Sequence, residues 1–239
     1  MLKNYFLIAV RYLTKYKTYS FINILGLSIA LVPVILTILF VGYEFSYDKF
    51  NKNCERIYRV TQTMEHPTSL INFQTSATPM MPSPLAQAMK DAFPEVQYAV
   101  RISKQEDIVY KGDDKFEEDN IFYADPDILK MFSFKIISGD ANTALSDPFS
   151  VALSESMARK YFGNSDPLNK TIRTKRNYDL TVKVVYQDLP ENSHFRPDFI
   201  IPISRIVGQR SVMFQGASDW GFSRFYTYFM LKKMHPLRL

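Results

Sequence analysis

Residues Thr18 to Tyr43 run for 26 positions without a charged side chain, bounded by Lys15 and Lys17 on one side and Glu44 and Asp48 on the other. A helix rises 1.5 Å per residue and needs about 20 apolar residues to cross the hydrocarbon core of a bilayer, so this segment spans with room to tilt. A cleaved secretory signal also starts basic and turns apolar. Its apolar stretch, however, is only about 7 to 15 residues long and ends in a small-x-small site. Here the run is longer and leaves through Val41-Gly42-Tyr43-Glu44-Phe45. The sequence therefore predicts an uncleaved membrane helix over Thr18 to Tyr43.

Lys3, Arg11, Lys15 and Lys17 precede the span, and no acidic residue occurs before Glu44. Cytoplasmic flanks carry an excess of Lys and Arg, which puts residues 1–17 in the cytoplasm and everything from Glu44 onward outside. These cations also explain the net charge. Of 29 basic and 24 acidic residues, the part beyond the span keeps 25 basic and all 24 acidic ones. It is nearly neutral and has no basic stripe, so nucleic acid is excluded as a partner.

On a helical wheel Leu2, Tyr5, Phe6, Ala9, Tyr12, Leu13 and Tyr16 share a face opposite Lys3, Asn4, Arg11, Thr14 and Lys15, with Leu7 the exception. Such an arm can rest among anionic headgroups as an amphipathic helix, or its charges can serve topology alone. Within the span, Pro33 lacks a backbone donor and is expected to kink the helix. Gly26 and Ala30 form a small-xxx-small pair that permits close helix packing, a pattern that also arises by chance.

Beyond the span, residues 44–232 are enough for one sizeable core or two small ones, and the 46% hydrophobic and 15% aromatic residues of the whole sequence fit globular structure and not disorder. Cys54 is the single cysteine, which excludes an internal disulfide framework. The periodicity alternates between strand and helix. Glu55 to Gln62 reads as a strand, Pro79 to Phe93 as a helix ended by Pro94, and Val96 to Ile102 as a returning strand, a β-α-β unit. Ile108 to Tyr110 and Ile121 to Tyr123 read as short strands around the turn Lys111-Gly112-Asp113-Asp114. Asp125-Pro126-Asp127 opens a short helix through Met131. Ser154 caps a helix from Glu155 to Phe162 that Gly163 stops. Strands follow at Thr171 to Thr174, Leu180 to Tyr186, Phe199 to Ile203 and Tyr226 to Leu231. Strands and helices without strict alternation imply an α+β domain.

A search for chemistry finds no catalytic, cofactor or metal site. The stretch Gly216 to Ser223 has the glycine spacing of a phosphate loop but places Phe222 where a lysine must reach the phosphates. His66, His194 and His235 have no ligand partner three or four positions away, so each reads as a surface or satisfied histidine. Ser154 and Ser156 lack the neighbours that would activate a nucleophile. Asp113-Asp114 and Glu117-Glu118-Asp119 read as solvated hairpin edges, without the alternation of a calcium loop.

An ordered series of stretches nevertheless resembles the N-terminal portion of a MacB/FtsX-type ABC transporter permease of the Bacteroidetes kind. The series starts with Tyr19 to Leu27 entering the span and Glu44-Phe45-Ser46-Tyr47-Asp48-Lys49-Phe50 leaving it. It continues with Arg56 to Val60, Phe93 to Val96, Tyr123 to Pro126, Leu153 to Gly163 and Asp188-Leu189-Pro190-Glu191-Asn192-Ser193-His194. The resemblance implies an α+β periplasmic domain of two lobes behind one long transmembrane helix, in the inner membrane, with no catalytic residue. It also implies a separate ABC ATPase subunit, a second permease copy or half, contact with membrane lipid, and room for a periplasmic adaptor. In that reading the helix transmits motion and the strand from Arg56 to Val60 receives it.

Two departures stand beside the resemblance. Val182 to Tyr186 lacks the glycine usual in the family strand. Family members return to the membrane in at least three further spans, whereas residues 233–239 form an atypical tail, so the sequence is expected to be a fragment that does not transport by itself. A free-standing single-span sensor or scaffold and a tethered envelope enzyme are the alternatives.

Overall fold

The computed structural model describes residues 2–64, 76–175, 179–207, 218–221 and 223–233. The chain divides into two compact units, Met1–Tyr47 and Asp48–Leu239. Two helices make up the first, α1 (Leu2–Lys15) and α2 (Lys17–Glu44), separated at Tyr16. α2 has 28 residues, about 42 Å at 1.5 Å per residue, and is long and apolar enough to cross a membrane. It continues through Pro33. The Thr37 hydroxyl donates to the Pro33 carbonyl at 2.7 Å and the Ser28 hydroxyl to the Ile24 carbonyl at 2.8 Å, so both polar groups are served within the helix.

In the second unit the chain passes a 3-10 turn, Cys54–Arg56, and the short strands β1 (Ile57–Arg59), β2 (Gln62–Met64), β3 (Ser76–Thr78) and β4 (Met80–Pro82). Then come α3 (Leu85–Ala92), the long strands β5 (Val96–Lys111) and β6 (Asp114–Ala124), α4 (Ile128–Met131), β7 (Ile136–Gly139) and β8 (Ser150–Ser154). The order closes with α5 (Glu155–Phe162), β9 (Thr171–Thr174), β10 (Asp179–Tyr186), β11 (Phe199–Pro202), α6 (Ser204–Val207) and β12 (Ser223–Leu231).

Ten of these strands form one sheet in the order β1-β12-β5-β6-β11-β8-β10-β7, with β4 also on β12 and β9 joining β10 to β5. The α+β class expected from the sequence is what the chain adopts. The pairs β11–β6 and β10–β8 are parallel and the other ladders antiparallel. Residues alternate between two cores, because successive strand side chains point to opposite faces. Ile121, Tyr123, Leu153, Phe199 and Ile201 pack under α5 and α6, while Phe122, Ala124, Ala152, Ile200, Tyr186 and Tyr228 pack with Ile128, Phe132 and Leu145.

Several elements depart from the sequence expectation. The strand expected over Glu55 to Gln62 is broken. Asn53 N donates to Asn51 Oδ1 at 3.0 Å, an Asx turn that winds Cys54–Arg56, and only Ile57 to Arg59 pair with β12. The helix expected from Pro79 starts at Leu85, because Met80–Pro82 joins β12 instead. The β-α-β unit is split. β4 and β5 both run antiparallel to β12, which lies between them, and α3 connects them. The short strands around Gly112 belong to one long hairpin, with Gly112 at φ 61° in a two-residue turn between Lys111 and Asp114. Glu118 is no solvated edge: it is buried, and both the Tyr161 hydroxyl and Lys160 Nζ lie 2.6 Å from its Oε1. That contact and burial hold the Tyr161 pKa well above its ordinary value, burial being the larger cause.

Helix α5 forms over the expected residues. The Ser154 hydroxyl accepts from Met157 N at 3.4 Å, and Gly163 closes the helix at φ 62°. At Gly139, φ is 90° and an added Cβ would meet the Lys183 carbonyl on β10, so this edge pairing requires glycine.

Candidate functional site

Three stretches distant in sequence meet where the chain enters the second unit. Asp48 opens that unit with φ 58°, a left-handed conformation that aspartate tolerates better than most side chains. This turn lets its backbone N–H donate to the Asn192 carbonyl at 2.9 Å, while the His194 N–H donates to Asp48 Oδ1 at 3.1 Å. Asp48 Oδ2 lies 2.8 Å from His194 Nδ1, and His194 Nε2 lies 3.0 Å from the Tyr228 hydroxyl. A carboxylate acceptor puts a proton on Nδ1, and the second ring nitrogen, Nε2, shares a hydrogen bond with the Tyr228 hydroxyl. Burial raises the Tyr228 pKa, with the Arg59 guanidinium opposing it, so the phenol is kept as a donor.

The loop and strand are anchored in the core. Phe132 packs edge-on against Tyr228 at 5.3 Å and against Phe195 at 4.8 Å, and the His194 ring meets Phe195 at 4.6 Å. Three further ties hold the entering chain. Asn53 Nδ2 donates to the Met131 carbonyl at 3.3 Å, and the Ser133 hydroxyl donates to buried Asn51 Oδ1 at 3.1 Å. Arg56 Nη1 donates to the Leu231 carbonyl at 2.9 Å beside the Ile57–Met230 pair. A cavity of about 310 Å³ lies against the same residues, with Phe50, Ile57 and Leu189 among its walls.

The arrangement fastens the first residue of the unit to a loop and to a core strand through three polar side chains that satisfy one another. Asp48 is thus connected to β12 by two successive side-chain hydrogen bonds through His194. His194, expected to be a surface or satisfied histidine, is a satisfied one. The link itself was not predicted, since Asp48, His194 and Tyr228 lie far apart in sequence. A signal was available, in that Glu44 to Phe50 and Asp188 to His194 are both stretches that carry the family resemblance.

The other residues singled out in the sequence fall as follows. Arg11 and Lys15 lie on α1 with the Lys3 backbone, Lys17 begins α2, and Gly26, Ala30 and Pro33 lie along α2, where a Cβ on Gly26 would meet nothing within 4 Å. Ser154 is the cap of α5, and the Ser156 hydroxyl bonds to Asp188 Oδ1 at 3.0 Å. His66, His235, the tail from Met234 and, of the stretch from Gly216 to Phe222, Gly216, Ala217 and Phe222 lie outside the described residues. Among the described residues no three His, Cys, Asp or Glu side chains are grouped as a metal would require.

The family model of the MacB-like periplasmic core domain matches residues 20–233. This chain belongs to that family. A solved domain from Porphyromonas gingivalis, from a protein assigned as a permease, is 26% identical with a TM-score of 0.64 over 78% of this chain and 77% of its own. The periplasmic region of MacB from Actinobacillus actinomycetemcomitans is 14% identical with a TM-score of 0.51, covering 73% of this chain and 76% of that one. The extracellular domain of the noncanonic ABC-type transporter YknZ from Gram-positive bacteria is 13% identical with a TM-score of 0.50, covering 74% and 83%. At these identities the last two show the fold alone. No curated protein matches the chain. The MacB-like domain thus sits in a chain that also carries an apolar helix fit to span a membrane, and the permease resemblance read from the sequence holds.

Proposed function

We propose that this chain is a permease subunit of a MacB/FtsX-type ABC transporter, in which a separate cytoplasmic ATPase drives α2 and the MacB-like domain moves in response. The N-terminal arm with Lys3, Arg11, Lys15 and Lys17 lies in the cytoplasm, α2 crosses the inner membrane, and the domain lies in the periplasm. A second permease copy or half completes the assembly. The observation that supports this reading is the match to the MacB-like periplasmic core domain behind an apolar helix long enough to span a membrane, with the line Asp48–His194–Tyr228 tying the first residue of the domain unit to its last strand.

Coupling is tested in the full chain reconstituted with its ATPase, by amide exchange with and without ATP and vanadate. Protection over residues 189–195 and 223–231 is expected to change with nucleotide in the unaltered chain and to stop responding in Asp48→Ala. No nucleotide response in the unaltered chain would refute the coupling. Orientation has its own test in Cys54, the single cysteine and exposed. A membrane-impermeant maleimide added to cells with a permeabilised outer membrane is expected to label it. Labelling only after rupture of the inner membrane would reverse the topology.

A further inference from the structure

The cavity beside the Asp48–His194–Tyr228 line is chemically two-sided. Phe50, Ile57, Phe132, Leu189 and Phe195 supply apolar walls, and Arg59 stands among its polar residues. Asp48 and His194 already satisfy each other, so they leave the Arg59 guanidinium, which is exposed, as the cationic group at the rim. At about 310 Å³ the space is at the lower end of ligand pockets, room for one hydrocarbon tail and not for a whole lipid.

Its place in the chain says where such a tail comes from. Asp48, the first residue of the wall, follows the end of α2 by four residues, which reach at most about 14 Å when fully extended. The segment between and just beyond carries exposed Phe45, Tyr47 and Phe50, aromatic residues of the kind that settle at a membrane–water interface. Exposed Lys49 and Lys52 add cations beside them. Apolar walls, a cationic rim and a tether this short together fit a phospholipid of the membrane that α2 enters.

We infer that this cavity takes an acyl tail of an outer-leaflet phospholipid, with the phosphate of that lipid against Arg59. The inference rests on the orientation proposed above. A lipid held there lies against Phe132 and Tyr228, the groups that receive the entering chain.

The test uses the full chain in nanodiscs containing phosphatidylglycerol with a photoactivatable diazirine in one acyl chain, followed by peptide mapping. Adducts are expected on peptides containing Ile57, Phe132 or Leu189 as well as on α2. Leu189→Trp, which fills the cavity, is expected to lower the domain adducts at least fivefold and leave those on α2 unchanged. Arg59→Gln is expected to lower the domain adducts by a smaller factor without altering the near-ultraviolet dichroism of the fold. If Leu189→Trp disturbs the fold, Ile57→Phe is read in its place. Adducts confined to α2 and residues 45–50, or domain adducts indifferent to a cavity-filling side chain, would overturn the proposal. Domain adducts that respond to the cavity but persist undiminished in Arg59→Gln would overturn the phosphate contact. The nanodisc result does not depend on orientation in the cell or on an ATPase. Maleimide labelling of Cys54 from the periplasm without domain adducts therefore sinks the lipid site alone, and the reverse pattern sinks the topology and with it the outer leaflet as the source, leaving the lipid site itself standing.

Discussion

Cutting the link at Asp48 separates two contributions that the structure superimposes there. Asp48 accepts two bonds from His194, at 3.1 and 2.8 Å, and its backbone sits at φ 58°. The two side chains are 37% and 31% exposed, so each bond is held to about 1 kcal/mol, below the range for a buried charged acceptor. Asp48→Asn keeps a residue that tolerates the left-handed region and one good acceptor, and should cost about 1 kcal/mol. Asp48→Gly loses both bonds without backbone strain, about 2 kcal/mol. Asp48→Ala loses both and also places a Cβ in the left-handed region, about 3 kcal/mol. The remaining ties through Asn53 and Arg56 hold the rest of the segment, so the loss appears as local opening and not as global unfolding. With about 1.4 kcal/mol per tenfold change, amide exchange at residue 48 and Asn51, whose bonds run to Asn192 and to the residue 48 carbonyl, should speed up by roughly 5-fold, 30-fold and 100-fold in Asn, Gly and Ala, with β8 unchanged. Equal exchange in the Asn and Ala variants would refute the reasoning.

Three other perturbations bear on the domain. Gly139→Ala drives a Cβ into the Lys183 carbonyl at a positive φ and should cost about 2–4 kcal/mol, read as a lowered urea midpoint. Tyr161→Phe removes a 2.6 Å bond to buried Glu118 and leaves Lys160 as its partner. About 2 kcal/mol should be lost, a fall in Tm of about 4–8 °C for a domain of this size. Burial raises the Asp198 pKa above 3.8, helped by the Glu118 charge and opposed by the Asn120 and Ser154 hydrogen bonds. Its favourable contribution is therefore complete below pH 3.8 and lost as pH rises through the raised value. Asp198→Asn should accordingly raise Tm at pH 7, with the gain vanishing near pH 4, and a gain that persisted in acid would contradict this origin.

What the sequence revealed depended on whether the signal was local. Helix α5 was legible to the residue because its cap, first-turn acid and closing glycine all lie within ten positions. The β5–β6 hairpin was legible only at its turn and two apolar patches, because Lys104-Gln105-Glu106 interrupts the alternation where the ladder shifts register. Glu118 was misread because its partners, Lys160 and Tyr161, come from α5, and no local pattern announces them. The same limit applied to the candidate site. Asp48 and His194 are 146 positions apart, and their meeting depends on the loop between β10 and β11, which packs on one face of the sheet and brings His194 to Tyr228 on β12. The split β-α-β was invisible for a related reason, since the strand inserted between β4 and β5 is the last one in the chain.

The pairing of β1 with β12 brings Ile57 beside Met230. Cα atoms opposite one another in an antiparallel ladder lie about 4.5–5.5 Å apart, so a host protein meets this domain through a gap no wider than two neighbouring strands. Everything between those residues is, to the host, a hairpin loop that happens to be folded. The stem alone is not the boundary, however: Asp48, Asn51, Asn53 and Arg56 lie outside it and bond to His194, Ser133, Met131 and Leu231. A graft of this domain therefore has to carry the segment from Asp48 with it, because a cut at Ile57 leaves those partners behind.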